Sequence, residues 1–167
     1  NIESDASYLS EPNAKSRVAG YFYLSEEPVN EERPKINGPI VIVCNILKTI
    51  VASAAEAETA ALFHNGQEAC PIRNLLEEIG HPQNATQIVT DNEVAAGVVN
   101  DTVKRKRSRA FDMKYYWIQD RQNQEQFKIV WKPGKTNLAD YHSKHHPPCH
   151  HQMVRSTYLH STTSNNL

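Results

Sequence analysis

The chain has no surplus of positive charge. Eighteen Lys and Arg stand against 19 Asp and Glu, a formal net charge of −1 over 167 residues. No global field draws it to a polyanion, so any binding to nucleic acid must rest on a local patch or on metal ions. Cysteine is scarce and odd in number, with only Cys44, Cys70 and Cys149. This argues against a disulfide framework and for a reducing compartment. Cys44 sits in the apolar run Ile40-Val41-Ile42-Val43-Cys44 and is expected to be a small core residue. No apolar run approaches the length of a membrane span. No secretory signal accompanies the triplet Asn84-Ala85-Thr86, so this formal glycosylation sequon reads as a loop before a strand. There is no internal repeat and no initiator Met, and the abrupt opening reads as a domain cut from a longer polypeptide.

What is present is a globular composition, 39% hydrophobic and 22% charged, long enough for one domain with a real core. Strands are expected at Ile2 to Leu9, Val18 to Leu24 and Pro39 to Val51, joined by a turn at Glu11 to Lys15 and a polar connection from Ser25 to Asn37. Ser53-Ala54-Ala55-Glu56 fits a capping box, which opens a helix to about Ala69. Pro71 is expected to kink or restart it, with Ile72, Leu75, Leu76 and Ile79 forming a helical stripe that ends at Gly80. A short buried strand, Thr86 to Thr90, precedes a helix at Glu93 to Val99. A helix at Met113 to Gln122, a strand at Phe127 to Trp131 and a short helix at Asn137 to Lys144 complete the set. Strands that alternate with helices after an antiparallel meander imply an α/β domain with a five-stranded mixed sheet flanked by helices. Its bounds are read as 1–146, followed by an irregular Pro/His-rich tail at 147–167.

Four acids occupy distinct places in this pattern. Asp5 lies inside an apolar strand, where an ionised carboxylate is costly unless paired or metal-bound. Alternation can place it on the face opposite Ser4 and Ala6, where a flanking helix would present its own acids. Glu58 lies on the first long helix, Asp91 at the end of Ile88-Val89-Thr90-Asp91, and Asp140 at the start of the last helix. Taken alone, Asp91 also reads as a helix cap and Glu58 as a solvated face. Clustered carboxylates repel unless cations neutralise them, and hard oxygen ligands suit magnesium or manganese. Two such ions, about 3.5–4 Å apart, can drive in-line phosphodiester hydrolysis.

The ordered set Ser4-Asp5-Ala6-Ser7, Ala55-Glu56-Ala57-Glu58-Thr59-Ala60-Ala61-Leu62, Thr90-Asp91-Asn92 and Leu138-Ala139-Asp140-Tyr141 resembles ribonuclease H. More narrowly, it resembles the ribonuclease H domain that ends the Pol polyprotein of copia-like LTR retrotransposons. Further matches are Leu75 to Gly80, Arg107 to Met113 and Ala139 to Pro147. The similarity runs from about Ser4 to His160, with each motif weak alone and the four strong in order. The resemblance implies a metal-dependent endonuclease that cuts the RNA strand of an RNA–DNA hybrid during reverse transcription. It implies two divalent ions, magnesium with manganese able to substitute, held by Asp5, Glu58, Asp91 and Asp140. It also implies a reverse transcriptase domain linked upstream and an intracellular setting, the cytoplasmic virus-like particle.

Glu56 competes with Glu58 as the helix ligand. The two are about 200° apart around a helix and cannot both face one site. The resemblance favours Glu58, because the family glutamate is followed by a small apolar helical run, here Ala60-Ala61-Leu62, which leaves Glu56 the capping role. The order Asp-Glu-Asp-Asp also separates ribonuclease H from integrases, which place their glutamate last. Five positive charges among Lys104, Arg105, Lys106, Arg107 and Arg109 suit phosphate contacts. Ser53 and Asn92 can contact the sugar-phosphate backbone or cap helices. Lys132 and Lys135 can touch phosphate or be solvated. Many ribonucleases H carry a His in the loop before the final helix, and Trp131 to Thr136 has none; this departure bears on turnover rather than chemistry. Asp112 is read as structural, and Trp117 and Trp131 as core. The run His145-His146-Pro147-Pro148-Cys149-His150-His151 has zinc-ligand types without a standard zinc spacing. Two rivals stay open: a nuclease-inactive or repurposed domain serving a polyprotein, and a DNA-acting nuclease of the same superfamily.

Overall fold

The computed structural model describes residues 1–25, 38–102 and 109–159, without the side chains of 109–112. The strands are β1 (Ile2–Glu11), β2 (Lys15–Phe22), β3 (Val41–Ile46), β4 (Thr86–Thr90) and β5 (Phe127–Trp131). The helices are α1 (Ala54–Glu78), α2 (Glu93–Val99), α3 (Arg109–Asn123), α4 (Asp140–Ser143) and α5 (Pro148–Tyr158). One mixed sheet runs in the order β3-β2-β1-β4-β5. β1 pairs antiparallel with β2, and β2 with β3, while β1–β4 and β4–β5 are parallel. This is the α/β arrangement that the strand and helix order implies. Among the described residues no helix is long and apolar enough to cross a membrane.

Alternation along β2 separates the two layers. Val18 and Phe22 pack with α1 residues such as Ala57, Ala61 and Leu62. Ala19, Tyr21 and Tyr23 face the other way, onto Leu138, Ala139 and Tyr158. Helix α1 starts cleanly because Ser53 Oγ accepts from Glu56 N at 3.1 Å and Glu56 Oε2 accepts from Ala52 N at 2.8 Å. Its close approach to the sheet depends on Gly20. A Cβ there would sit 2.2 Å from Asn65 Oδ1 and 2.7 Å from Phe22 Cε2. Asn65 cannot yield, since it is fully buried and donates to Ser4 Oγ and Ala19 O, both at 2.9 Å. Overpacking plus one strained buried hydrogen bond should make Gly20→Ala about 2–4 kcal/mol less stable in urea unfolding.

Several expectations are corrected. Helix α1 runs unbroken through Pro71, to Glu78. Proline costs roughly 3 kcal/mol inside a helix. Burial of Ala69 and Arg73 around it offsets that, with Arg73 donating to Asn84 O, Gln83 O and Thr86 Oγ1. Cys44 is exposed rather than core, because β3 is the sheet's edge strand and only Val43 of its central residues turns inward. Trp131 ends β5 and is 45% exposed, whereas Trp117 does pack against the core. The tail is not irregular throughout: Pro148–Tyr158 is α5, started by a proline in its first turn and docked by Tyr158, whose ring lies 4.5 Å from that of Tyr141. The last helix of the expected domain shrinks to Asp140–Ser143, preceded by a 3-10 turn at Gly134–Thr136.

Candidate metal centre

β1 and β4 pair at Ile2↔Ile88 and Glu3↔Val89. Further along β1, beside the C-terminal end of β4, Ala6 N donates to Glu58 Oε1 at 3.1 Å. Acids from both layers meet there. Asp5 points to the α4 face, as does its cross-strand partner Ala19. Glu58 reaches in from α1 on the opposite face, and Asp91 follows β4. The helix on Asp5's own face therefore brings Asp140 and Ser143, not Glu58. One carboxylate oxygen from each of Asp5, Glu58 and Asp91 lies within 4.8 Å of the others.

Each acid is held by its own partners. Ser143 Oγ donates to Asp5 Oδ2. Thr90 Oγ1 lies 3.4 Å from Glu58 Oε2 as a long hydrogen bond. Trp131 Nε1 donates to the Asp91 carbonyl at 3.0 Å, clamping the strand end. Asp140, the first residue of α4, lies outside the group of three and pairs with Lys144 through Oδ1. Its charge still reaches the cluster, raising the pKa of both Asp5 and Asp91.

Burial dominates the electrostatics. Asp5 is 2% exposed and Glu58 5%. Burial lifts the Asp5 carboxyl to about 6, against the Ser143 hydrogen bond and Lys144, with Asp91 and Asp140 adding to the rise. Glu58 is pushed up to about 9, by burial first and then by the charges of Asp5 and Asp91. Asp91 is raised by burial too, with Lys144 opposing. Lys144 sits above its usual range although burial works against it, because Asp140, Asp5 and Asp91 all favour its ammonium form. Added positive charge would favour the ionised form of all three acids.

The other residues singled out in the sequence fall elsewhere. Glu56 is the capping partner. Ser53 Oγ is taken up by Glu56 N, and Asn92 Oδ1 by Ala95 N at 2.9 Å, so both act as helix caps here. Lys104, Arg105, Lys106 and Arg107 lie outside the described residues, as do the side chains of Arg109 and Asp112. In the tail, the His146 and His150 rings stack at 4.1 Å. Among the described residues, the tail forms no three-ligand group of the kind that Asp5, Glu58 and Asp91 make.

From the sequence, Ser143, Lys144 and Gly134 have no place at the site and Trp131 reads as core. Lys144 had a legible signal, its i+4 spacing from Asp140. Gly134 had none. A Cβ on it would lie 2.2 Å from Asp91 Oδ2 and 3.1 Å from Asp91 Cγ. The carboxylate end can swing away, so Gly134→Ala should cost little stability. It should weaken magnesium or manganese binding by about tenfold in calorimetric titration, a usual penalty for disturbing a ligand's support.

LC11 ribonuclease H1, solved in complex with an RNA/DNA hybrid, superposes with a TM-score of 0.58 at 14% identity, covering 84% of this chain and 90% of that one. The chain has the ribonuclease H fold.

Curated relatives of this ribonuclease H-fold chain are retrotransposon polyproteins. The Pol polyprotein from transposon TNT 1-94 of Nicotiana tabacum is 26% identical over 107 residues, 64% of this chain. The Ty1-NL2 Gag-Pol polyprotein of Saccharomyces cerevisiae is 25% identical over 162 residues, 94% of this chain. The chain spans 8% of the length of each. These relatives and the ribonuclease H fold agree with the copia-like resemblance. No model of a known protein family matches the chain.

Proposed function

We propose that this ribonuclease H-fold domain is a metal-dependent endonuclease that hydrolyses the RNA strand of RNA–DNA hybrids within a retrotransposon Pol polyprotein. The observation that carries this reading is the convergence of Asp5, Glu58 and Asp91. The donor set fits hard divalent cations, since all ligands are carboxylate oxygens. The electrostatics fit as well: two nearly inaccessible acids with raised pKa values form a site that needs positive charge. Asp5, Glu58 and Asp91 would hold two magnesium ions, with manganese able to substitute and Asp140 contributing once released from Lys144. When bound, such ions supply an activated water and charge stabilisation for in-line displacement at phosphorus.

The chain's own residues organise the site. Ser143 fixes one Asp5 oxygen and leaves the other for a ligand. Ala6 N and Thr90 orient Glu58, and the Trp131 indole fixes the Asp91 backbone. The hybrid is the proposed substrate because a solved neighbour binds one and the relatives are polyproteins of reverse-transcribing elements. A linked reverse transcriptase domain is the proposed partner, and the cytoplasmic particle the proposed setting.

The test is cleavage of a labelled hybrid by the full chain with magnesium or manganese. Cuts confined to the RNA strand and abolished by chelation are expected. No metal-dependent cutting would overturn the proposal, and equal cutting of duplex DNA would replace it with a DNA-acting nuclease.

A further inference from the structure

No residue of the tail helix α5 is fully buried, so it adds little to a core. His150, Val154 and Tyr158 are half-buried at i, i+4 and i+8, which gives the helix one narrow stripe of contact. What that stripe holds is the segment that carries Asp140. Tyr158 Oη donates to the Leu138 carbonyl at 2.8 Å, two residues before Asp140. Its ring stacks on Tyr141 at 4.5 Å and meets Tyr21 edge-on at 6.0 Å. The start of the helix grips Tyr141 as well. The Tyr141 hydroxyl lies 2.8 Å from His151 Nδ1, and His151 Nε2 lies 3.1 Å from the His146 carbonyl. A carbonyl can only accept, so Nε2 donates to it and Nδ1 of the neutral ring accepts from Tyr141. Tyr141, the neighbour of Asp140, is therefore clasped from both ends of α5.

Helix α4 needs such support. Asp5 lies in β1, Glu58 in α1 and Asp91 directly after β4, whereas Asp140 opens a single turn, Asp140–Ser143. That turn has Ala139 at its N-cap and no side-chain capping bond. A helix this short has no stability of its own. On its inner side β1 anchors the flanks. Asn137 Nδ2 donates to Ser4 O at 2.9 Å, Leu138 N to Glu3 Oε2, and Ser7 Oγ to Ser143 O at 2.7 Å. Between those anchors, α5 supplies the outer hold, at Leu138 and Tyr141. The Asp140 side chain itself is 34% exposed, and its ion-pair partner Lys144 follows in the same segment.

We infer that α5 is a strap that holds Asp140 within reach of the metal centre, with Tyr158 and His151 as its positioning residues. The inference rests on the proposed function, which makes Asp140 a metal ligand. The strap acts through the Leu138 backbone and the Tyr141 side chain, without touching an ion or the substrate. The outermost of the four acids is thus placed by chain that follows it.

The test compares the full chain with Tyr158→Leu, Tyr158→Phe, Asp140→Asn and the double variant Tyr158→Leu/Asp140→Asn. Amide hydrogen exchange is followed in the metal-free proteins, and manganese is titrated calorimetrically into each. Tyr158→Leu should speed exchange across residues 138–143 about tenfold and leave the amides of α1 unchanged. It should also weaken manganese binding about tenfold, as loss of a ligand's support does. Tyr158→Phe keeps the ring and loses only the Leu138 hydrogen bond, so it should fall between Tyr158→Leu and wild type. The double variant should bind manganese no more weakly than Asp140→Asn alone, because a strap that acts through Asp140 then has nothing left to position. Unchanged exchange at 138–143, or effects of the two substitutions that multiply, would overturn the inference, and a wild type that cuts the hybrid would leave the nuclease reading standing. Faster local exchange in a protein that takes up no manganese would support the hold of α5 on Asp140 and overturn the nuclease reading.

Discussion

Asp5→Asn should abolish metal-dependent hybrid cleavage and at the same time stabilise the metal-free protein. The substitution keeps the side chain's shape and an oxygen for the Ser143 hydroxyl. It removes the negative charge shared by the proposed ions. Loss of several kcal/mol of transition-state stabilisation corresponds to about a thousandfold in rate or more. The gain in stability follows from burial. Asp5 is 2% exposed and its carboxyl is lifted to about 6, so at pH 8 the folded protein carries a buried charge that Ser143 and Lys144 compensate only in part. A shift of about two pKa units corresponds to roughly 3 kcal/mol, and the neutral amide avoids most of that cost. The two measurements are initial rates on labelled hybrid and urea unfolding in chelator. A structural Asp5 would lose stability when changed, so a destabilised variant that retains activity would remove the residue from the site.

The metal-free protein should lose stability as pH rises from 5 to 9, and magnesium should reverse that loss. For an acid whose folded pKa is raised, the folded state keeps its proton after the unfolded chain has released its own. The stabilising contribution is complete below the ordinary carboxylate range and disappears as pH climbs through the folded value. That window ends near 6 for Asp5 and near 9 for Glu58. The expected decline across it is a few kcal/mol, up to about 1.4 kcal/mol per pH unit for each group. Bound cations remove the penalty and expel the retained protons. The melting temperature should therefore rise more with magnesium at pH 8.5 than at pH 5. Titration heats should also vary with the buffer's ionisation enthalpy. Differential scanning calorimetry with and without magnesium checks the first statement. A metal-free stability that is flat or rising from pH 5 to 9 would contradict the electrostatic account of the cluster.

These two results bear on a common trade. Asp5 and Glu58 are costly to bury and contribute little to the fold, which is instead held by residues such as Asn65, Arg73 and the apolar layers around α1. A site that weakens its own scaffold until cations arrive is a usual arrangement where function needs concentrated charge.

The sequence by itself determined the elements and their order. The β4, α2 and β5 segments have the bounds that their hydrophobic pattern and caps imply, because short strands and capped helices are encoded locally. The capping box at Ser53 and Glu56 was legible for the same reason, and it freed Glu58 for the site. Motif order carried the acids as a set. Tertiary structure decided what depends on which element lies beside which. It made β3 an edge, exposing Cys44, and it carried α1 through Pro71 because flanking residues found burial. It docked a helix in the tail through Tyr158. Above all, it ended the β1–β4 pairing after Glu3, so that Glu58 from one layer and Asp5 from the other meet beside Asp91, while Asp140 stands a step away, paired with Lys144. Residues 53 and 86 positions from Asp5 in the chain share a site only because α1 and the C-terminal end of β4 lie beside the middle of β1, and no local pattern encodes that distance.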